Sequence, residues 1–342
     1  MLPDLAIAHD FSLKSCNTFG IDARARCYLR IHSVAELAAA LATPALAALP
    51  RLLLGGGSNI VLTGDFDGVV LHMAMVGREV LGSHGAHTLV RAAAGEHWHA
   101  FVQWTLAQGL GGLENMALIP GTVGAAPIQN IGAYGTELKD VFHALTVYDL
   151  ASGQLRSMDA PACRFGYRDS IFKRAAGAGL VIVDVTFALP LAWQPNLRYA
   201  ELAQAVAEAG FDAPTAADIF DTVVAIRRRK LPDPAVIGNA GSFFKNPVVS
   251  SARCAQLLAA FPALVHHAQP DGSEKLAAGW LIDQCGWKGR SLGAAGVYPK
   301  QALVLVNNGG ATGQEVLALA RAIEADVAER FGVTLETEPV FV

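Results

Sequence analysis

Apolar positions along this chain alternate between a period of two and a period near 3.6. Those spacings put side chains on one face of a strand or of a helix. RCYLRI at 26–31 reads as a strand. Ser33 follows as a helix cap, with Val34, Leu37, Ala38 and Leu41 at helical spacing. RLLLGGGSN at 51–59 reads as a buried strand running into a glycine loop, followed by strands near 68–73 and 87–93 and a helix over 96–108. Strands at 142–149 and 180–189 precede helices at 200–209 and 215–229. The second of these helices opens on the capping pair Thr215 and Asp218 and carries a stripe of Ile219, Val223 and Ile226. It ends where RRRK at 227–230 meets Pro232 and Pro234. Further helices are expected at 250–260, 274–285 and 313–330, with a strand at 303–306. Strict alternation in the closing VTLETEPVFV would put Glu336 and Glu338 on one face and Leu335, Thr337 and Phe341 on the other. The mixture predicts an α+β protein, with domain boundaries near 70, 200 and 310.

Composition narrows the class. A chain of 342 residues suits two or three domains, and 52% apolar against 16% charged residues suits a large core. A net charge of −4 speaks against nucleic acid as the main partner. No basic segment leads into an apolar core at the N-terminus, and no window reaches the roughly 18 apolar residues of a membrane span. The cysteines (Cys16, Cys27, Cys163, Cys254 and Cys285) are odd in number, widely spaced and without a CxxC. They predict neither a disulfide framework nor a zinc site, and fit small buried hydrophobes in a reducing cytoplasm. His84, His87, His97 and His99 lie close in sequence but lack metal-ligand spacing, so no metal is expected.

Three segments carry candidate chemistry. GNAGSFFKNP at 238–247 places the Ser242 hydroxyl between a flexible glycine approach and the Phe243–Phe244 pair, with Lys245 and Asn246 just beyond. GGLENMALIPGTVGAAPIQNIGAYG at 111–135 is too long for an idle connection. In it Gly124, Ala125 and Ala126 leave room for a flat ligand, and Gln129 and Asn130 offer amides to a heteroaromatic edge. FGYRDS at 165–170 sets Arg168, a fork suited to carboxylate or phosphate, beside Tyr167 and Asp169; a surface ion pair with Asp169 is the competing reading. GGGSN at 55–59 is either an anion nest or a plain tight turn, and neither dinucleotide nor P-loop glycine spacing is present. RRRK is most simply a cationic helix end.

Taken together these segments resemble the UDP-N-acetylenolpyruvoylglucosamine reductase (MurB) family. The resemblance rests on NTFG at 17–20, LGGGSNIVL at 54–62, GLENMALIPGTVGAAPIQNIGAYG at 112–135, FGYRDSIFK at 165–173, KLPDP at 230–234, GNAGSFFKNP at 238–247, KLAAGWLIDQCGWKG at 275–289 and QALVLVN at 301–307. It covers almost the whole chain. NLRYAEL at 196–202 is similar to the family form with a mobile tyrosine loop, here Tyr199.

The resemblance implies a vanillyl-alcohol-oxidase (PCMH) type FAD-binding fold in two subdomains, 1–70 (completed by about 310–342) and 71–200, plus an α+β substrate-binding domain at 201–310. It implies non-covalent FAD, NADPH as hydride donor, and UDP-N-acetylglucosamine enolpyruvate as the small-molecule substrate of a cytoplasmic, monomeric enzyme. By motif match, Arg168, Ser242 and Glu338 form the catalytic set. The cofactor matches are Gly55, Gly56, Gly57, Ser58, Asn59, Pro120, Gly121, Thr122, Gly124, Ala125, Gln129, Asn130 and Gly132. Tyr167, Tyr199, Lys230, Asn246, Lys288 and Gln301 match positions that hold the nucleotide sugar. Two stretches depart from the family pattern. Pro339 and Val340 follow Glu338 where Val and Arg are usual, which leaves Glu336 as an alternative carboxylate, and His267 stands where a substrate-contacting tyrosine is usual. A flavin oxidase on the same fold and a non-catalytic nucleotide-sugar binder are the rival functions.

Overall fold

One irregularity in the apolar run Leu180–Pro190 decides how the interior is divided. In this computed structural model, which describes residues 5–342, that run is the middle strand of a five-stranded antiparallel sheet. The order is Gln154–Asp159, Phe142–Asp149, Leu180–Pro190, His87–Ala93, Arg78–His84. Val147 lies opposite Ile182 and Thr146 opposite Asp184, so Val183 is the extra residue of a bulge. The side-chain alternation reverses there. Val181 and Val183 face one core with Leu29, Ile31, Leu37, Val69 and Leu71. Beyond the bulge Val185, Phe187 and Leu189 face a second, with Trp98, Phe101 and Val123. One strand thereby serves two cores. Asp184 sits at the reversal, accepts a 3.0 Å bond from the Thr146 hydroxyl, and has its carboxyl pushed up by burial.

The first core backs a four-stranded sheet ordered Ala8–Ser12, Arg24–Ile31, Phe66–Met73, Arg51–Leu54, whose last two strands run parallel. The helix Val34–Ala42 covers it, capped by Ser33, whose hydroxyl accepts from the Glu36 amide at 3.1 Å. The helices Ala200–Glu208 and Ala216–Lys230 pack Leu202, Val206, Ile219, Phe220, Val223 and Ile226 into the second core. These residues belong to the first compact unit, which runs on to Arg229. The unit comprises the described residues up to Phe11, Ala25–Gly56 and Asp67–Arg229.

The second unit comprises Ser12–Arg24, Gly57–Phe66 and Lys230–Val342. Its main sheet is ordered Gly238–Ser242, Val304–Asn307, Ala295–Val297, Ser291–Leu292. The helix Gly313–Phe331 buries Val316, Leu319, Ala320, Ile323, Val327 and Phe331. A reciprocal capping box between Thr312 and Glu315 starts it, and Gly332 at φ 60° ends it. The expected helix over 274–285 is shorter, Ala278–Gln284. Glu274–Leu276 is instead the middle strand of a three-stranded sheet, between Val248–Val249 and His266–Ala268. Pairing on both edges satisfies that backbone as a strand. The helix starts where the Asn246 side-chain oxygen accepts from the Ala278 amide at 3.0 Å. Among the described residues no helix is long and apolar enough to cross a membrane.

Candidate functional site

In the first unit the candidate site grows from the segment 111–135, which is strapped down by its own polar residues. Glu114, buried, accepts from the Trp193 indole at 2.7 Å. The Asn115 amide donates to the Tyr134 and Asn196 carbonyls at 2.8 and 2.9 Å. His99 accepts the Leu118 amide on Nδ1 at 3.1 Å, and burial, then the charge of His97, depresses its basicity. Asn130 has no exposure; its amide donates to Glu137 and the Gly166 carbonyl, and its oxygen accepts from the Lys139 amide. The Asn130 side chain thus pins the loop, where the sequence suggested an amide offered to a ring edge.

The small residues of this segment divide by purpose. The Val123 and Gly124 amides donate to the Glu96 and Ala94 carbonyls at 2.8 Å each, holding the turn against the end of the strand His87–Ala93. A Cβ on Gly124 would lie 2.5 Å from Ala94 Cβ, and one on Gly56 would lie 2.8 Å from Gly121 Cα. These glycines let backbone meet backbone. Beside them a cavity of about 150 Å³ is lined by Leu54, Gly55, Thr122, Ala125, Phe172 and Ile182, among others. The Thr122 hydroxyl is buried there without a hydrogen-bond partner. An orphan hydroxyl costs about 1–3 kcal/mol, a cost that a ligand bonding to it would remove. Pro120, Gly121 and Gln129 belong to the same segment, and the Gly132 carbonyl accepts from the next feature, Arg168.

Arg168 occupies the tip of a tight turn closed by the Gly166 amide on the Asp169 carbonyl at 2.9 Å. Its φ of 52° is left-handed, a strain on the order of 1 kcal/mol for a residue with a Cβ. The turn aims the guanidinium across Tyr167, 5.6 Å from the ring centroid, and onto the Gly132 carbonyl at 3.1 Å. Asp169 pairs with Arg174.

Arg227 is the group that the sequence reading missed. In the helix Ala216–Lys230 its Nε is enclosed without a hydrogen-bond partner, while Nη2 donates to the Leu118 carbonyl at 3.2 Å. Burial lowers its basicity, Tyr134 works the other way, and Arg168 adds repulsion. Two guanidinium groups thus act on each other beside Tyr134, whose phenol burial pushes up to about 12. Tyr134 meets the half-exposed Tyr199 edge-on at 5.1 Å; Tyr199 caps the helix Ala200–Glu208. RRRK therefore contains one inward cation as well as a charged helix end. The only sequence signal was its position four residues after the apolar Val223 on the same helix face.

In the second unit Ser242 closes the strand Gly238–Ser242. The register slips between Asn239 and Ser242 against Val306 and Val304, and Gly241 takes φ 70°. Asn239 steadies this bulge by accepting the Gly241 amide at 2.9 Å and donating to the Ile237 carbonyl at 2.8 Å. The bulge turns Ser242 outward while Phe243 and Phe244 stay buried. Glu338 is joined to this anchor, because its amide donates to the Phe243 carbonyl at 2.8 Å and Thr337 bridges Phe244. Asn59 donates to the Glu338 carbonyl at 3.1 Å. Ser58 and Gly57 precede it, and a Cβ on Gly57 would collide with the Cys16 carbonyl at 1.9 Å.

The closing segment does not alternate as expected. Bends at Glu338 and Pro339 break the phase, and regular strand returns only at Val340–Phe341. Glu336 is exposed and bound by the Lys245 ammonium at 2.8 Å, whereas Glu338 is 7% exposed. The two carboxylates have opposite surroundings, and Glu338 is the enclosed one. Of the remaining residues, Asn246 caps the helix Ala278–Gln284, Gln301 accepts the Leu303 amide at 3.3 Å, and Lys288 lies 3.6 Å from Asp283 at the surface. Lys230 ends the helix that begins at Ala216.

Residues 25–159 match the FAD binding domain model, and residues 233–342 match the C-terminal domain model of UDP-N-acetylenolpyruvoylglucosamine reductase. The crystal structure of that reductase from Thermus caldophilus superposes with a TM-score of 0.66 at 24% identity, over 99% of this chain and 98% of the other. The fold is therefore an FAD-binding α+β fold with an added C-terminal domain. The reductase of Paraburkholderia phymatum is 62% identical over 97% of this chain and 96% of its own length. That of an Azoarcus species is 60% identical over 99% of each. Identity of that degree along nearly every residue of both partners makes this chain a member of the UDP-N-acetylenolpyruvoylglucosamine reductase family.

Proposed function

We propose that this chain reduces UDP-N-acetylglucosamine enolpyruvate to UDP-N-acetylmuramate, a step of peptidoglycan precursor synthesis, with non-covalent FAD and with NADPH as hydride donor. The observation that carries this is the full-length match at about 60% identity to reductases of that name. The cavity beside Thr122, with its glycine and alanine walls and its orphan hydroxyl, fits a flat cofactor that accepts a hydrogen bond. Gly55, Thr122, Gly124 and Ala125 line it, and the main chain of Gly56, Gly57, Ser58, Asn59, Pro120, Gly121, Gln129 and Gly132 completes the set we assign to the cofactor. The chemistry that bound FAD supplies is hydride transfer, from NADPH to C3 of the enolpyruvyl double bond.

The chain's own groups manage the charge and the proton. As C3 gains hydride, negative charge develops at C2 and spreads onto the adjoining carboxylate. Fixed cations already in place are worth more there than cations that must reorganise. Arg168 is assigned that role, since its turn conformation is costly and its fork is preset. Arg227, with an unpaired buried Nε, is assigned a second positive charge for the same anion. C2 then takes a proton from the Ser242 hydroxyl. Glu338, enclosed beside the Ser242 anchor, is assigned to polarise the substrate carboxylate. Lys230 and Lys288 face the diphosphate in this reading; Tyr167, Tyr199, Asn246 and Gln301 hold the sugar nucleotide. The enzyme is read as monomeric and cytoplasmic.

The two half-reactions test this separately. Ser242→Ala should leave bleaching of the flavin by NADPH within about twofold of the parent, and should slow reoxidation by the enolpyruvyl nucleotide on the order of 10²–10⁴-fold, the worth of a placed general acid. Stopped-flow absorbance reads both. Equal loss in both halves would make Ser242 structural. Fast reoxidation by air alone would favour an oxidase, and a colourless protein that takes up no FAD would favour a simple binder.

A further inference from the structure

Outside the groups used above, three side chains of different chemistry converge in the second unit. Cys254 lies on the helix Ser251–Ala260; His266 and Glu274 lie on the paired strands His266–Ala268 and Glu274–Leu276. The register sets Ala268 opposite Glu274 and Leu276 opposite His266, so His266 and Glu274 are diagonal neighbours on one face of the sheet. Their side chains touch, with His266 Nδ1 2.9 Å from Glu274 Oε2. Cys254 is 2% exposed, and its sulfur completes a group whose donor atoms all lie within 4.8 Å of one another.

We propose that Cys254, His266 and Glu274 bind a zinc ion that clips the helix to the hairpin. The donor set decides the metal. One thiolate, one imidazole and one carboxylate form a borderline-soft triad that suits Zn²⁺, whereas Mg²⁺ and Ca²⁺ require oxygen ligands. Geometry agrees. Tetrahedral zinc with bonds of about 2.3 Å to sulfur and about 2.0 Å to nitrogen separates those donors by about 3.5 Å. His266 Nδ1 and Glu274 Oε2, 2.9 Å apart, already stand near that spacing, and side-chain torsions bring in the Cys254 sulfur. Zinc displaces the proton between His266 and Glu274 and the Cys254 thiol proton, both of which leave to solvent, and water fills the fourth position. Sequence spacing hides such a site, because its ligands come from a helix and two strands brought together by the fold and none from a CxxC.

The test uses FAD-loaded enzyme stripped of metal with a chelator, then titrated with Zn²⁺ against a chromophoric zinc indicator. One equivalent should bind, and the thermal midpoint should rise with it. Loss of a partner that merely orients a ligand costs about 10–100-fold in metal affinity; Cys254→Ser and His266→Asn, which remove ligands outright, should each cost at least as much. Glu274→Gln should weaken binding in the same sense, and Cys285→Ser should change nothing. If Cys254→Ser folds poorly, His266→Asn and Glu274→Gln, at half-buried positions, decide the matter. Absence of a bound equivalent overturns the proposal. So does zinc held equally well by the parent and the His266 and Glu274 variants.

Discussion

Asp184 shows how one residue can record a compromise. The bulge that feeds two cores leaves its carboxylate inside the sheet, where burial favours the protonated form and Arg91 only partly offsets this. Its folded pKa is raised, so the native state holds the proton more tightly than the unfolded chain. The ionised group therefore costs stability, increasingly as pH rises from the unfolded value of about 4 through the raised folded value. Asp184→Asn keeps an oxygen for the Thr146 hydroxyl and removes the charge. It should be more stable than the parent at pH 7, with the advantage shrinking toward zero near pH 4; urea denaturation at the two pH values checks this. Glu336 and Glu338 teach a related lesson. Two carboxylates two positions apart read alike in sequence, yet one ends in water with Lys245 and the other is enclosed.

At the scale of elements, propensity and packing pull against each other at Gly313. As the first residue of a nineteen-residue helix it would ordinarily gain stability from replacement by alanine. Its missing Cβ would stand 1.9 Å from the Leu62 carbonyl, a backbone atom that cannot swing aside. Gly313→Ala should therefore destabilise the protein by about 1–3 kcal/mol, the usual cost of overpacking, and thermal unfolding should show a lower midpoint. The segment 111–135 behaves similarly. Its glycines and polar residues serve first to make a loop rigid, through Glu114, Asn115 and Asn130, and the ligand wall is what that rigidity leaves behind. Periodic elements such as His87–Ala93 and Gly313–Phe331 were legible because each buries one face. Arg78–His84 was not, since all of its residues are exposed and no apolar alternation marks it. The residues Glu274–Leu276 read as helix because three residues leading into an apolar run carry no signal that two partner strands await them.

At the scale of the molecule, the orphan Thr122 hydroxyl and the enclosed Arg227 mean that the ligand-free chain carries uncompensated groups. Ligand binding should offset them. FAD added to stripped protein at about a hundred times its dissociation constant should stabilise the chain by about 2.7 kcal/mol by mass action, and differential scanning fluorimetry should register a rise of several degrees. Thr122→Val removes the orphan hydroxyl; its apo form should melt no lower than the parent's, and its gain on adding FAD should be smaller. A midpoint indifferent to FAD would remove the cofactor from this cavity.

The amino-acid sequence alone determined the class of the fold, the helices and strands with a buried face, and the segments in which the candidate site residues lie. These follow from local spacing and from residue types whose conformational freedom is fixed wherever they occur. Which of two glutamates is enclosed, which of four consecutive cations turns inward, which amide is consumed in holding a loop, and which thiol meets an imidazole were decided only by tertiary structure. Each depends on atoms contributed by distant parts of the chain, and a carboxylate, guanidinium or amide takes its energy from those neighbours, not from its own position in the sequence.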